Sequence, residues 1–351
     1  MNILLDLLHP AHAHVFRLFV EEMQARGHRI RILSRQKDVL CDLLDDWGWE
    51  HHCLTAQARG SVGLATELLL RARGIRCHAR EMKADVMAGL MGPAIALASP
   101  FVRAPAVVLY DNETTARLNA LVARVAEAWI SPRGYRLSHG ARHLRYDGYH
   151  ETCYLHPNRF TPDADRVRQA GLDPDKPYSV VRFVGWESIH DVGEGGFSAA
   201  GKRQLVETLK RLGPVAISSE KPLPSDLEPY RLKAPVAGIH HILAFAQLFV
   251  GESSTMASEA ACLGTKALFV SSTGRGVNDE QEARYGLVTC LHDRDEAKAL
   301  AWVKAAVEDR DLTAKAAEGY ERLKADTVDV TGFLVDFFET RYGRAKTSAA
   351  T

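Results

Sequence analysis

LFVGESSTMASEAACLGTKALFV (Leu248–Val270) reads as strand, loop, helix and strand in turn. Leu248–Val250 is an apolar run without alternation, as a parallel strand covered on both faces must be. Thr255–Leu263 follows as a helix, Gly264 ends it, and Lys266–Val270 is the next buried strand. The loop between has chemical content. A strand running into a helix start leaves backbone N–H groups without partners, and those groups favour phosphate. Gly251 ends the strand, Ser253, Ser254 and Thr255 add hydroxyl donors, and Met256 completes the first turn. Simple N-capping by a serine explains the same residues more plainly. Glu259 lies one turn beyond Thr255 on the same side, where a carboxylate can accept from a ribose diol.

The pattern extends in both directions. Downstream, strand Leu287–Cys290 precedes helices Glu296–Glu308 and Asp311–Leu323, and a last helix, Val330–Arg341, carries Phe333, Leu334, Phe337 and Phe338. Upstream lie strand Tyr178–Val184, helix Lys202–Leu212, strand Val215–Ser218 and helix Ile239–Ala246. A first series opens the chain: strand Asn2–Leu8, helix Ala13–Arg26, strand Arg29–Ser34, helix Val39–Trp47, strand His52–Thr55 and a basic helix Ala65–Met82. Strands Asp85–Leu90 and Ala106–Tyr110, helix Thr115–Glu127 and strand Trp129–Ser131 complete it. Between Gly134 and Pro177 the periodicity fails, and prolines punctuate a polar linker. Such alternation predicts an α/β protein with two Rossmann-like, doubly wound parallel-sheet domains facing a cleft. The boundaries fall at 1–155, 156–329, a helix 330–345 that packs back toward the first domain, and a tail 346–351.

Composition excludes several classes. The chain has 351 residues, with 44 Lys+Arg balancing 44 Asp+Glu, so no nucleic-acid footprint covers its surface. Six scattered cysteines without a C-x-x-C pair read as reduced thiols of a cytoplasmic protein. The start MNILLDLLHP lacks a basic leader, and the apolar run Val86–Val102 is broken by Pro93 and Pro100, so no span is expected. A weak peripheral contact with an anionic membrane face is expected from Leu68–Lys83, which combines three leucines with Arg71, Arg73, Arg76, Arg80 and Lys83. A solvated basic face over a leucine core accounts for the run as well.

Three more loops follow buried strands, at the ends where α/β sheets hold ligands. His9-Pro-Ala-His12-Ala-His14 offers a general base at a helix start. The same residues read as caps packed under a loop, or as three metal ligands lacking a nearby carboxylate or cysteine. Tyr110-Asp111-Asn112-Glu113 reads as an N-cap with a dipole-complementing acid, or as groups for substrate hydroxyls. Gly274–Gln281 reads as a glycine-rich surface loop whose Asn278, Asp279 and Gln281 suit sugar hydroxyls. Walker-A, H-E-x-x-H, G-x-S-x-G and G-x-G-x-x-G motifs are absent.

Together these loops resemble the GT-B glycosyltransferases, and most nearly the lipid II-forming N-acetylglucosaminyltransferases. His14-Val-Phe16 stands where that family carries a Gly-His-Val-Phe run. Asn112-Glu113 and Asn119 resemble its acidic-Asn segment, and Ser258-Glu259-Ala-Ala-Cys-Leu-Gly264 with Asp279-Glu-Gln281 resembles its donor domain. Thr255–Gly264 is also similar to an uncharacterised prokaryotic family in the superfamily shared with the UDP-N-acetylglucosamine 2-epimerases. The chain departs from these patterns in its first loop and at Arg182-Phe-Val-Gly-Trp186-Glu-Ser-Ile-His190-Asp.

The resemblance implies a metal-independent glycosyltransferase that needs no cofactor and takes a UDP-sugar for cell-envelope or surface polysaccharide synthesis. It implies His14 as base, Arg182 and the Ser253–Met256 helix start on phosphate, Glu259 on ribose, and Gln281 with Asn278 on the sugar. His12, Asn112 and Asn119 would line the acceptor side, whose ligand is a glycan, lipid-linked or small-molecule hydroxyl. The alternatives are a nucleotide-sugar 2-epimerase, with Asp111 and Glu113 shuttling protons, and a non-catalytic nucleotide-sugar-binding protein.

Overall fold

The computed structural model describes residues 1–113, 116–184, 197–233, 238–272, 274–293 and 295–343, with the backbone alone at 116 and 117. Two compact units result, one from Met1–Tyr154 together with the chain from Val328 onward, the other from Leu155–Thr327.

In the first unit the order is β1 (Asn2–Asp6), α1 (Pro10–Ala25), β2 (Arg29–Gln36), α2 (Leu40–Asp46), β3 (His51–Ala56) and α3 (Gly60–Glu81). It continues through β4 (Val86–Leu90), α4 (Pro93–Ala98), β5 (Ala106–Leu109), α5 (Ala116–Val125), β6 (Ala128–Pro132), β7 (His143–Tyr146) and α6 (Thr152–Leu155). The strands form one parallel sheet in the order β3-β2-β1-β4-β5-β6-β7. The chain runs outward from β1 to β3, then returns to place β4 beside β1. The sheet's switch point therefore lies between the ends of β1 and β4.

The second unit holds α7 (Ala164–Gln169), β8 (Ser179–Phe183), α8 (Ala199–Leu209), β9 (Val215–Ser219), α9 (Ile239–Phe245) and β10 (Leu248–Gly251). After these come α10 (Ser254–Cys262), β11 (Lys266–Val270), α11 (Gly276–Tyr285), β12 (Val288–Leu291), α12 (Glu296–Glu308) and α13 (Leu312–Asp326). Its sheet is also parallel, ordered β12-β11-β10-β8-β9, with a switch point between β8 and β10. Val181, Val250 and Leu268 from its central strands pack with Leu205, Val206 and Val303 from α8 and α12. A closing helix, α14 (Val330–Tyr342), belongs to the first unit, where Phe338 meets Phe19 of α1 edge-on at 5.0 Å between ring centroids.

The sequence expectations need four corrections. Helix α1 begins at Pro10 rather than Ala13, because a proline at the first helical position gives up only an N–H that has no partner there. The polar stretch read as a linker contains β7, paired to β6 at the sheet's edge. Gly274–Gln281 is not a surface loop, since Gly276–Tyr285 is helix and Asn278 and Gln281 are fully buried. In the basic helix Arg71 is not a surface cation, because it is buried and bonded to Asp6, with Nη1 also donating to the Ser34 carbonyl at 2.9 Å. Val86–Val102 resolves as expected into β4, a turn and the short helix α4. Among the described residues no helix is long and apolar enough to cross a membrane, and none of the six cysteines is in a disulfide.

Candidate functional site: polar strand ends in each unit

At the first switch point, His9 caps α1 with extended backbone, its Nδ1 accepting the Ala11 N–H at 3.1 Å. His12 is buried, and its Nδ1 accepts the Leu8 N–H at 3.3 Å. Burial first, then the nearby His9, Arg35, Lys37 and His150, hold its pKa well below the usual imidazole value. His12 is thus a neutral imidazole at neutral pH. His14, two residues on and so on a different face of the helix, sits between the rings of Trp47 (5.3 Å) and Tyr154 (5.5 Å). The His9 and His12 rings lie 6.1 Å apart, and among the described residues the three histidines do not converge on a metal site.

After β5, Asp111 lies near His150, a residue that the sequence reading missed because it lay inside the presumed linker. His150 is buried, its Nδ1 bonds the Tyr146 hydroxyl, and its Nε2 has no partner among the described residues. Burial lowers its pKa, and Asp111 opposes the shift. The signal available in the sequence was the short alternation His143-Leu-Arg-Tyr146, the strand that delivers this histidine. Asn112 offers its carbonyl to Asn119 Nδ2 at 3.1 Å, and Asn119, fully buried, also donates to the Tyr135 hydroxyl at 3.4 Å. Glu113 Oε1 accepts the Arg136 N–H at 3.0 Å. Asn112, Glu113 and Asn119 therefore brace the loop. The expected helix start at Thr115 lies outside the described residues.

At the second switch point Gly251, the last residue of β10, pairs in register with Arg182 of β8. A Cβ at 251 would lie 2.9 Å from the Arg182 Cβ and 2.7 Å from Phe249 Cζ, so glycine permits this approach. Arg182 donates from Nη1 to Ser218 Oγ at 2.7 Å and from Nη2 to Glu220 Oε1 at 2.5 Å. Ser253 caps α10, its Oγ accepting the Met256 N–H at 3.3 Å. The N–H groups of Ser254 and Thr255, next in the turn, have no hydrogen-bond acceptor among the described residues, as a helix start requires. Buried Glu252, which the sequence reading passed over, accepts from Val184 N at 3.0 Å and Phe197 N at 2.7 Å. These flank 185–196, so Trp186 and His190 lie outside the described residues.

Three donor-side residues have partners inside the second unit. Glu259 is buried with its Oε1 2.9 Å from His240 Nε2. Gln281 Nε2 donates to Ser258 Oγ at 2.8 Å, and Asn278 Nδ2 donates to the Ser254 carbonyl at 3.2 Å. Ser254 Oγ in turn donates to Asn278 Oδ1 at 2.5 Å. Asn278 and Gln281 lock α11 against α10 and so fix where the α10 start points.

No family model matches the chain, and no curated protein sequence matches it. Solved structures do. MurG of Acinetobacter baumannii superposes with a TM-score of 0.59 at 17% identity, covering 97% of this chain and 100% of that one. UDP-GlcNAc 2-epimerase of Neisseria meningitidis, bound to UDP-GlcNAc, gives 0.66 at 12% identity over 97% and 100%. The spinosyn rhamnosyltransferase SpnG complexed with thymidine diphosphate gives 0.60 at 13% identity over 96% and 100%. The fold is GT-B. Both sheets of this GT-B chain carry polar residues at their switch points, where open α/β sheets bind ligands. The first presents a neutral histidine and carboxylates, the second an anion-favouring helix start beside an arginine.

Proposed function

We propose that the protein is a glycosyltransferase, moving a sugar from a nucleotide-diphosphate donor, a UDP-sugar, to an acceptor hydroxyl in cell-envelope or surface polysaccharide synthesis. The observation that carries this reading is the α10 start, with the open N–H groups of Ser254 and Thr255 at the switch point beside Arg182. Two of the similar structures are described with UDP-GlcNAc or thymidine diphosphate bound, which supports a nucleotide diphosphate here. In the reaction the acceptor oxygen bonds the anomeric carbon while the bond from that carbon to the diphosphate breaks. A base on the first unit takes the acceptor proton; His14 is assigned this role, with Asp111 and His150 at the neighbouring strand ends. Charge gathers on the departing diphosphate, where the α10 dipole and Arg182 stabilise it without a metal ion. Arg182 reaches phosphate by exchanging its bond to Glu220 for one to the ligand.

A thermal-shift series with UDP, GDP, CDP and dTDP tests the donor assignment. A ligand at about 100 times its dissociation constant stabilises the fold by about 2.7 kcal/mol. Absence of a shift with all four at millimolar concentration rejects it.

A nucleotide-sugar 2-epimerase is the second reading, favoured by a higher TM-score to the Neisseria epimerase, 0.66, than to MurG, 0.59. UDP-GlcNAc supplied without acceptor separates the two: an epimerase inverts the sugar at C2, whereas a transferase only hydrolyses it slowly. Binding without turnover under any acceptor marks a sensor. The reading also includes cytoplasmic residence with a weak contact at the inner membrane face through α3, where Leu69 is 65% and Leu70 55% exposed.

A further inference from the structure

Asp279 lies in the first turn of α11, Cys290 near the end of β12, and His292 two residues further on. A carboxylate oxygen of Asp279, the Cys290 sulfur and a ring nitrogen of His292 all lie within 4.8 Å of one another. The local fold brings them together. Helix α11 is the crossover leading into β12, and Gly286 closes it in the left-handed conformation (φ 65°). The chain then returns along the helix. Glu282 Oε2 accepts the Cys290 N–H at 3.2 Å, which fixes the helix face turned toward the strand. Asp279, three residues before Glu282, shares that face. Cys290 and His292, two residues apart on an extended chain, share a side of the strand.

His292 Nε2 is 3.0 Å from Asp279 Oδ1. An aspartate–histidine pair alone needs no thiol beside it, and it is the third donor that makes the group distinctive. Gly274 stands close to the other two donors: a Cβ there would lie 3.1 Å from His292 Cε1 and 3.5 Å from Asp279 Oδ2. The site is reachable from solvent, with the His292 side chain 45% exposed and that of Asp279 23%.

We propose that Asp279, Cys290 and His292 form a Zn²⁺ site with a fourth position open to water or an anion. Thiolate, imidazole and carboxylate together match the donor preference of zinc, and three protein ligands leave a tetrahedral ion one vacancy. Zinc bonds of about 2.0–2.3 Å place tetrahedral ligands roughly 3.3–3.8 Å apart, so small side-chain rotations close the group around an ion. On binding, Cys290 releases its thiol proton to solvent, His292 uses a neutral ring nitrogen, and the two anionic ligands balance the dication. The site ties α11 to β12, and it stands whether or not the donor reading above holds.

The experiment is a titration of the chelator-treated full-length protein with Co²⁺, followed by Zn²⁺. We expect one equivalent of Co²⁺ to give tetrahedral d–d bands and a thiolate charge-transfer band, both displaced by Zn²⁺. Cys290→Ser removes the charge-transfer band, and His292→Ala weakens the metal by about tenfold or more. Cys77→Ser, which alters an exposed thiol elsewhere, leaves the spectrum unchanged. Gly274→Val retains every ligand but crowds His292, so it weakens the metal even if Cys290→Ser fails to fold. The proposal is overturned by a wild-type protein that takes up no stoichiometric Co²⁺, by a charge-transfer band that survives Cys290→Ser, or by affinity indifferent to both His292→Ala and Gly274→Val.

Discussion

Glu259 and His240 meet at 2.9 Å, both buried, and their contact joins α10 to α9. This fixes the depth of the helix whose start faces the second switch point. Removing either partner takes a buried hydrogen bond from the other, at a cost of about 1 kcal/mol or more. Glu259→Ala and His240→Ala should each lower the unfolding midpoint, and the double variant should lose less than the sum. A Glu259→Ala protein of unchanged stability that binds UDP poorly but pyrophosphate normally would support the ribose role.

Ser253→Ala removes the α10 cap. Loss of such a cap costs typically about 1 kcal/mol. If the α10 start holds phosphate, binding of UDP and of pyrophosphate should weaken together, as read by calorimetry. Unaltered affinity for both would move the phosphates elsewhere.

His14→Ala calls for two measurements on one preparation, a melting curve and a single-turnover rate. A base contributes typically about 10²–10⁴-fold, so turnover should fall by about 10²-fold or more while donor affinity holds. Concurrent loss of stability would mark His14 as a packing residue between Trp47 and Tyr154. Normal turnover in a folded variant would transfer the role to Asp111 or His12.

Stability should fall on the acid side because of the first unit's histidines. His143 accepts the His139 N–H at Nδ1 (3.3 Å), its Nε2 lies 2.7 Å from Ser131 Oγ, and burial, then Arg145 and His139, push its pKa down to about 4. Burial lowers His12 and His150 as well. Below pH 6.5, the ordinary imidazole value, the unfolded chain takes up protons that the folded one refuses. The stability present above that pH is therefore lost as pH falls toward 4. Urea midpoints across this range should decline, and His143→Gln, which does not titrate, should flatten the decline. An unchanged slope would exclude His143 as a contributor.

Sedimentation with anionic vesicles tests the α3 surface. Binding at low salt that disappears at high salt is expected, and Arg73→Glu with Arg80→Glu should abolish it. Binding insensitive to salt, or none at low salt, removes the membrane contact.

Apolar strands such as β1, β4, β10 and β11 were legible because burial on both faces writes itself as an unbroken hydrophobic run. Strand β7 was not, since it has one neighbour and carries His143 and Arg145. Asn278 and Gln281 misled for the opposite reason. Amides look like surface residues in a sequence, yet here their hydrogen bonds to α10 satisfy them in the interior. The position of the Ser253–Met256 turn was readable from one strand–loop–helix run. The commitment of Glu259 to His240 was not, because the partner lies on another helix. A helix start at Ala13 overlooks Pro10, although proline at a first helical position is itself a start signal.

The return of α14 to the first unit sets an order for synthesis. Thr331 Oγ1 donates to the Cys153 carbonyl at 2.7 Å, Arg26 Nη1 donates to Glu339 at 2.7 Å, and Phe338 covers Phe19. None of these contacts can form until the ribosome has passed through all of Leu155–Thr327. At about 5–20 residues per second, that interval lasts roughly 10–35 s. The second unit, continuous in sequence, can finish folding in that time, while the nascent first unit waits with the Phe19 side of α1 uncovered. The first unit, begun first, is thus the last to close its core.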